Sequence, residues 1–317
     1  MKENKLVNQI KDKAIWVVLI VLAIVFTAAN PRFISPSNLL TLLRQVSMYG
    51  IASIGMTFVI LLGDIDLSIG TIISFVNIIC AYMMVNMGIN PVVAVIISII
   101  AATLIGVMNG FMVSTVGIPA IIATYATQTA FMGLALIICG GMPISGFSQG
   151  FAMIGQGYIG IIPIPVIIMV ICFAIGSFIL NKTYFGRYFY AVGGNVEAAK
   201  LSGIRVGRIK YLVFAISGFF AGLAGIVMLS RTASGNASAG ADGFEFEVIT
   251  CVVLGGVSIT GGLGKMSGVV AGTFIIGALK NGMVLMNVNS YVQKIVMGVV
   301  LALAVGFDCM QNKKRQS

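Results

Sequence analysis

Long apolar stretches broken by short polar punctuation run through the whole chain. Runs such as AVIISIIAATLIGVM (94–108) are continuously apolar, without the apolar–polar alternation of a barrel strand, so the pattern predicts helices. Ten segments can be drawn, at roughly 14–30, 39–62, 69–87, 92–116, 120–139, 164–181, 210–229, 246–259, 267–286 and 291–308. The shortest, 246–259, predicts a broken or tilted helix. The breaks carry Pro or Gly, as in NPRFISPSN (30–38), GINP (88–91) and IPIP (162–165).

Composition turns these segments into membrane spans. The chain is 59% hydrophobic and 9% charged, with a mean hydropathy of +1.07. A soluble domain would carry about 25% charged residues, and uncharged runs of about 20 residues read as spanning helices. The expected fold is therefore all-α, a polytopic integral membrane protein of about ten transmembrane helices in one domain, 1–317. Four Lys precede the first apolar run, as in a signal peptide, but that segment is long and holds Glu3 and Asp12, so an uncleaved first span is expected. There is no His, which excludes a His base, metal site or proton relay; no metal site and no catalytic residue is expected. The five Cys form no C-x-x-C pair and read as small apolar residues.

Charge is concentrated. Leu67 to Asn181, 115 residues, hold no charged side chain, and the next 29 hold six Lys or Arg with one acid, Glu197. With the N-terminus in the cytoplasm and ten crossings, fourteen of the nineteen Lys and Arg fall on the cytoplasmic side: Lys2, Lys5, Lys11 and Lys13, the six in 182–210, Lys265, Lys313, Lys314 and Arg315. The positive-inside rule favours this orientation, with basic cytoplasmic tails at 1–13 and 309–317. Gly106/Gly110, Gly218/Gly222 and Gly268/Gly272 stand four apart within spans. Such pairs let helices approach closely, inside this chain or at a subunit interface.

The basic island 182–210 has more than charge. Arg187 is followed by Tyr188, Phe189 and Tyr190; Gly193-Gly194-Asn195 predicts a sharp turn; Val196 to Leu201 are helix formers that Ser202-Gly203 ends. A plain loop touching anionic lipid needs only charge. A turn, a short helix and a stop make a rigid knob, whose small Ala198 and Ala199 suit a groove on a partner protein.

FGRYFYAVGGNVEAAKLSGI (185–204) resembles the cytoplasmic coupling segment of the permease subunits of bacterial sugar ABC importers of the ribose/xylose/arabinose/galactose type. GMTFVILLGDIDLSIGTIISF (55–75) and GFEFEVITCVVLGGVSITGGLGKMSGVVAGTFIIGAL (243–279) are similar to two further blocks of that family, and the likeness runs over nearly the whole chain. The resemblance implies an ABC-importer permease fold in the bacterial cytoplasmic (inner) membrane, multi-pass, with both ends cytoplasmic. It implies three partners besides the lipid bilayer: a cytoplasmic ABC ATPase carrying ATP and magnesium, an extracytoplasmic sugar-binding protein, and a second permease subunit, identical or related. It implies that Arg187, Gly193, Gly194, Asn195, Glu197, Ala198 and Ala199 carry ATPase coupling. No nucleic acid is implied, and this chain needs no cofactor of its own. GGLGKMS (261–267) is no phosphate loop, because Ile259 stands at the first Gly position and Met266 at the Ser/Thr position.

A few polar groups interrupt the oil. GDIDLSIG (63–70) places Asp64 and Asp66 between two apolar helices, where a carboxylate is costly. Asp66 or Ser68 either caps the following helix or lines the sugar path or its gate; the family pattern matches at both and departs at Asp64. Asn77, Asn109 and Gln128, with Thr124, Thr127 and Thr129, suit a path for a neutral polyol and suit interhelical hydrogen bonds equally. Glu245 and Glu247 are expected at the outer mouth, either capping a helix, with Asp242-x-x-Glu245 as a capping box, or docking the binding protein.

Two other functions compete. An ion-coupled secondary transporter of a small neutral solute would place ionisable residues at the midplane, which the lack of His and the few acids disfavour. A branched-chain amino-acid-type ABC permease would favour fixed charges along its path, against the neutral stretch. The sequence reading is therefore the permease subunit of a sugar importer, not an enzyme, with ribose as first substrate.

Overall fold

The computed structural model describes residues 2–241 and 243–316, with side chains described from 15 to 313. The basic side chains of the 1–13 tail, Lys314 and Arg315, and Asp242 of the expected capping box lie outside the described residues. Along the chain stand α1 (Lys2–Ala29), α2 (Pro36–Leu61), α3 (Ile69–Val85), α4 (Pro91–Phe111, continued by a π turn, Met112–Val116) and α5 (Ala120–Cys139). Then come α6 (Gln149–Gln156), α7 (Ile164–Lys182), α8 (Tyr184–Gly194), α9 (Val196–Leu201), α10 (Val206–Thr232), α11 (Phe244–Leu254), α12 (Met266–Leu285) and α13 (Ser290–Gln316). Two-residue strands pair antiparallel: β1 (Ile144–Ser145) with β4 (Ser234–Gly235), both against α3, and β2 (Tyr158–Ile159) with β3 (Ile162–Pro163).

All ten apolar segments are helical, and the protein is an all-α polytopic membrane protein. Among the described residues α2, α4 with its π turn, α5, α7, α10, α12 and α13 are long and apolar enough to cross a membrane; Ile15–Ala29 of α1 and all of α3 are shorter. Local chemistry sets the ends. Pro36 and Pro91 open α2 and α4, where a missing N–H costs nothing, and Asn90 caps α4 by accepting from Val92 N at 2.9 Å.

The core is built on α2 and α10, which cross side by side with α3, α4 and α6 against α10 and with α7, α11 and α12 against α2. In α2, 83% of the spanning window is buried, against 6% in α13, which packs chiefly on α11 at the periphery. The Gly pairs serve this chain's own packing. A Cβ on Gly106, Gly218 or Gly272 would lie 2.2, 2.3 and 2.0 Å from the carbonyl oxygens of Phe214, Ala102 and Cys251.

Helix directions follow from contacts at the two ends. Asn30, after α1, donates to Leu285 O at the end of α12 (3.0 Å), so α1 and α12 run the same way. At the opposite end Gly262 N donates to Leu61 O (2.9 Å) and Asn312 donates to Ser258 Oγ (2.6 Å). The start of α1, the end of α13, the α11–α12 turn and α8–α9 thus share what we call the island end.

Two crossings are broken inside the bundle. After α2 reaches the island end, residues 62–68 turn inward and bring Asp66 to Ser217, about 16 Å along α10 at 1.5 Å per residue. Only there does α3 begin, and it runs to the far end. The second break is inverted. Past the far end of α10, residues 233–241 descend along α3, where Asn236 N meets Asn77 Oδ1 at 3.1 Å and Gly240 N meets Ser74 Oγ at 2.9 Å. Then α11, of 11 residues, runs to the island end. The short helix expected at 246–259 is thus half a crossing, the loop making the other half. The starts of α3 and α11 converge, and a Cβ on Gly70 would sit 2.2 Å from Gly240 O. Glu245 and Glu247 accordingly stand within the bundle and not at an outer mouth.

Close helix contact carries a measurable consequence. Gly218→Val should destabilise the detergent-solubilised protein by about 1–3 kcal/mol, the usual cost of overpacking, seen as a lowered thermal midpoint. Gly298→Ala meets open space inside α13 and should leave the midpoint unlowered, or raise it slightly through helix propensity.

Candidate functional site: the island knob and the buried polar centre

The island folds as a helical hairpin of two short helices. Gly193 and Gly194 belong to the last turn of α8, so they are not the expected turn; the chain breaks at Asn195, whose backbone is extended (φ −162°). Asn195 caps α9, accepting from Ala198 N at 2.9 Å. Gly203, at φ 82°, lets the chain turn away while its N–H meets Lys200 O and Ile204 N meets Ala199 O. Glu197 and Lys200 pair at 2.8 Å on the exposed side, a contact that adds little to stability.

One side of the knob is fastened to the spans. A Cβ on Gly193 would fall 1.8 Å from Leu61 O and 2.5 Å from Gly262 N, so only Gly permits this seat between the end of α2 and the α11–α12 turn. Gly194 closes the same contact, lying 2.8 Å from the Cβ position of Gly262. Phe189 is fully buried edge-on to Phe58 of α2 (5.5 Å), and Tyr190 Oη donates to Gly264 O at 2.8 Å. Burial raises the Tyr190 phenol above its ordinary value, keeping it a donor. Ala199 is buried as well. The other side faces out. Arg187, Glu197 and Ala198 are exposed, and Leu201, which the sequence reading passed over, is 90% exposed. A bare Leu closing a short charged helix was the available signal. At the root of the knob Lys210 pairs with Asp64 at 2.8 Å, which explains the acid at that departure from the family pattern.

Deeper in the bundle the polar residues bond to one another. Asp66 Oδ1 accepts from Ser68 N at 3.0 Å and from Ser68 Oγ; its Oδ2 accepts from Ser217 Oγ at 2.7 Å. Asn109 Nδ2 donates to Ser68 Oγ (2.8 Å) and Thr127 Oγ1 donates to Asn109 Oδ1 (2.6 Å). One hydrogen-bonded chain therefore joins α5, α4, the start of α3 and α10. Ser68 gives α3 no side-chain cap; Asp66 instead takes the Ser68 N–H. Thr124 Oγ1 accepts from Leu67 N at 3.0 Å. Asn77 clamps the second break, donating to Gly225 O and accepting from Asn236 N, both at 3.1 Å. Asp66, Ser68, Asn77 and Asn109 are fully buried in protein, whereas Gln128 keeps part of its surface.

Glu245, 4% exposed, accepts from Gln128 Nε2 at 3.2 Å, and its other oxygen lies beside Gly70 in the first turn of α3. The carboxylate thus stands at the positive ends of two helix dipoles, α3 and its own α11. Glu247 receives Lys280 Nζ at 2.7 and 2.9 Å, and the same ammonium donates to Tyr49 Oη at 2.8 Å. Neither carboxylate is offered to a partner at the surface. Lys280 was missed at the sequence level; an internal echo, IGVMNG (105–110) against IGALKNG (276–282), marks the helices whose polar groups brace each half-helix.

Two broken crossings of opposite direction, paired charges inside and a rigid knob at one end are the features of this polytopic membrane bundle, and its class is that of a membrane permease by family. The family of permease components of branched-chain amino acid transport systems matches residues 38–305, and the chain belongs to it. It is 43% identical over 292 residues to the ribose import permease protein RbsC of Bacillus subtilis, covering 92% of this chain and 90% of that one. It is 42% identical over 305 residues to RbsC of Haemophilus influenzae (95% and 94%), and 37% identical over 302 residues to the L-arabinose transport system permease protein AraH of Escherichia coli (94% and 92%). No solved structure matches.

The internal ion pair has a direct test. Lys280→Met should destabilise by about 3 kcal/mol, the low end for stranding one member of a buried pair because both keep some exposure. Lys280→Met with Glu247→Leu should recover most of it. Unfolding in detergent across the double-mutant cycle reads both.

Proposed function

We propose that this chain is the membrane-spanning subunit of an ATP-driven importer of a monosaccharide, ribose in the first instance. The observation that carries the reading is the knob: its inner side is seated on α2 and the α11–α12 turn, and its outer side presents a bare Leu201 beside Ala198. The identities with ribose and arabinose permeases support the sugar. The paired state of Lys280 and Glu247 supports a neutral solute, since it leaves that internal ammonium committed to a protein carboxylate and not to a zwitterion.

The roles then divide. Leu201, Ala198, Glu197, Arg187 and the Asn195 cap present the surface that a cytoplasmic ATPase grips; Gly193, Gly194 and Ala199 hold the knob to the spans. ATP and magnesium sit on that ATPase, and this subunit catalyses no reaction. An extracytoplasmic sugar-binding protein delivers the solute at the far end, through residues other than Glu245 and Glu247. A second permease subunit, identical or related, completes the path. Gln128, at the partly exposed edge of α5, faces that path, while Asp66, Ser68, Asn77 and Asn109 brace the half-helices behind it. The protein lies in the bacterial inner membrane with both ends and the island in the cytoplasm, as the Lys and Arg distribution favours. Rigid-body displacement of the knob on nucleotide binding then moves the spans.

Co-purification tests the reading. Tagged wild-type protein, gently extracted from its native cell, should bring down an ABC ATPase identified by mass spectrometry. Leu201→Asp should reach the membrane in equal amount and lose it. Equal ATPase recovery with Leu201→Asp would refute the docking role of the knob.

A further inference from the structure

The α11–α12 turn (255–265) is gripped from two sides. The knob holds one side, through Gly262 against Leu61 and Gly194 and through Tyr190 Oη on Gly264 O. The other side is held by α13. Asp308 Oδ2 accepts from Ile259 N at 2.9 Å and from Ser258 Oγ at 3.0 Å. One turn further on, Asn312 Nδ2 donates to Ser258 Oγ at 2.6 Å and to Thr260 Oγ1 at 3.1 Å. Ser258 and Asn312 are buried, so the bond between them is shielded from water, while Asp308, Ile259 and Thr260 keep part of their surface.

Elsewhere α13 is the least enclosed of the long spans, with 6% of its crossing window buried. A helix so loosely covered follows a movement chiefly where it is fastened, and its polar fastening at the island end is to the turn that seats the knob. We infer that Asp308 is a positioning residue of the transport cycle: with Asn312 it latches α13 to the α11–α12 turn, so that displacement of the knob is delivered to α13 as well as to α11 and α12. The inference rests on the importer reading above. Without the latch the ATPase still docks on Leu201 and still turns over, while α13 no longer follows, so hydrolysis and transport separate.

The experiment measures uptake of radiolabelled ribose and ATP hydrolysis in the same proteoliposomes, holding this chain, its ATPase and its binding protein. Asp308→Ala should lower uptake at least about ten-fold, within the range of coupling between linked sites, while hydrolysis stays within about two-fold of wild type. Asp308→Asn keeps an oxygen for the Ile259 N–H and should retain more uptake than Asp308→Ala. Should Asp308→Ala reach the membrane poorly, Asn312→Ala removes the second half of the latch with the same expected separation. Unchanged uptake in both variants, or uptake and hydrolysis falling together at equal protein, overturns the latch. Wild-type uptake that needs no ATP overturns the importer reading instead, and the latch with it.

Discussion

A backbone that leaves its helix inside a bilayer must find its hydrogen-bond partners in protein, because lipid supplies none. This chain accepts that constraint twice, at 62–68 and at 233–241, and a connected set of its buried polar side chains answers it. Asp66 takes the Ser68 N–H, Thr124 takes the Leu67 N–H, Ser74 takes the Gly240 N–H, and Asn77 takes the Asn236 N–H. An isolated carboxylate at that depth would be costly. Asp66 is tolerated because Ser68 and Ser217 both donate to it.

The two breaks give the fold its working geometry. The succession α2–α3–α4–α5 recurs in opposite direction as α10–α11–α12–α13, each with a half-helix in second place. Where the half-helices begin, Glu245 of α11 lies against Gly70 of α3 and reaches Gln128 of α5, so one carboxylate touches both halves. At the island end the knob meets the entrance to the first break and the turn beyond α11, since Leu61, just before 62–68, and Gly262, in the α11–α12 turn, share the seat of Gly193. The knob therefore touches the chain on its way into α3 and on its way out of α11.

Much of this was legible in the sequence. Continuous apolar runs located ten helices, Pro36 and Pro91 marked two starts, and the island's charge, Asn195 and Ser202-Gly203 outlined the knob. What stayed hidden depends on contacts between distant residues. That 233–241 folds back into the bundle is set by partners more than 150 residues away, so Glu245 and Glu247 read as surface acids. The Gly193-Gly194 pair reads as a turn, and only its distance to Leu61 shows that its purpose is close approach. Local spacing could not say whether the Gly pairs joined helices of this chain or of two; the carbonyls of Phe214, Ala102 and Cys251 lying on them answer that. Leu201 and Asp308 were visible as an apolar residue on a polar helix and an acid in an oily span, but their meaning comes from exposure in one case and from Ser258 in the other.

The most direct test of the account is the energy source of transport. Proteoliposomes containing this chain, its ATPase and its binding protein should accumulate labelled ribose only with ATP inside the compartment that faces the knob. Imposed proton or sodium gradients without ATP should drive nothing. Uptake that follows an ion gradient and ignores ATP would contradict the account, and would leave the basic island as no more than a determinant of membrane orientation.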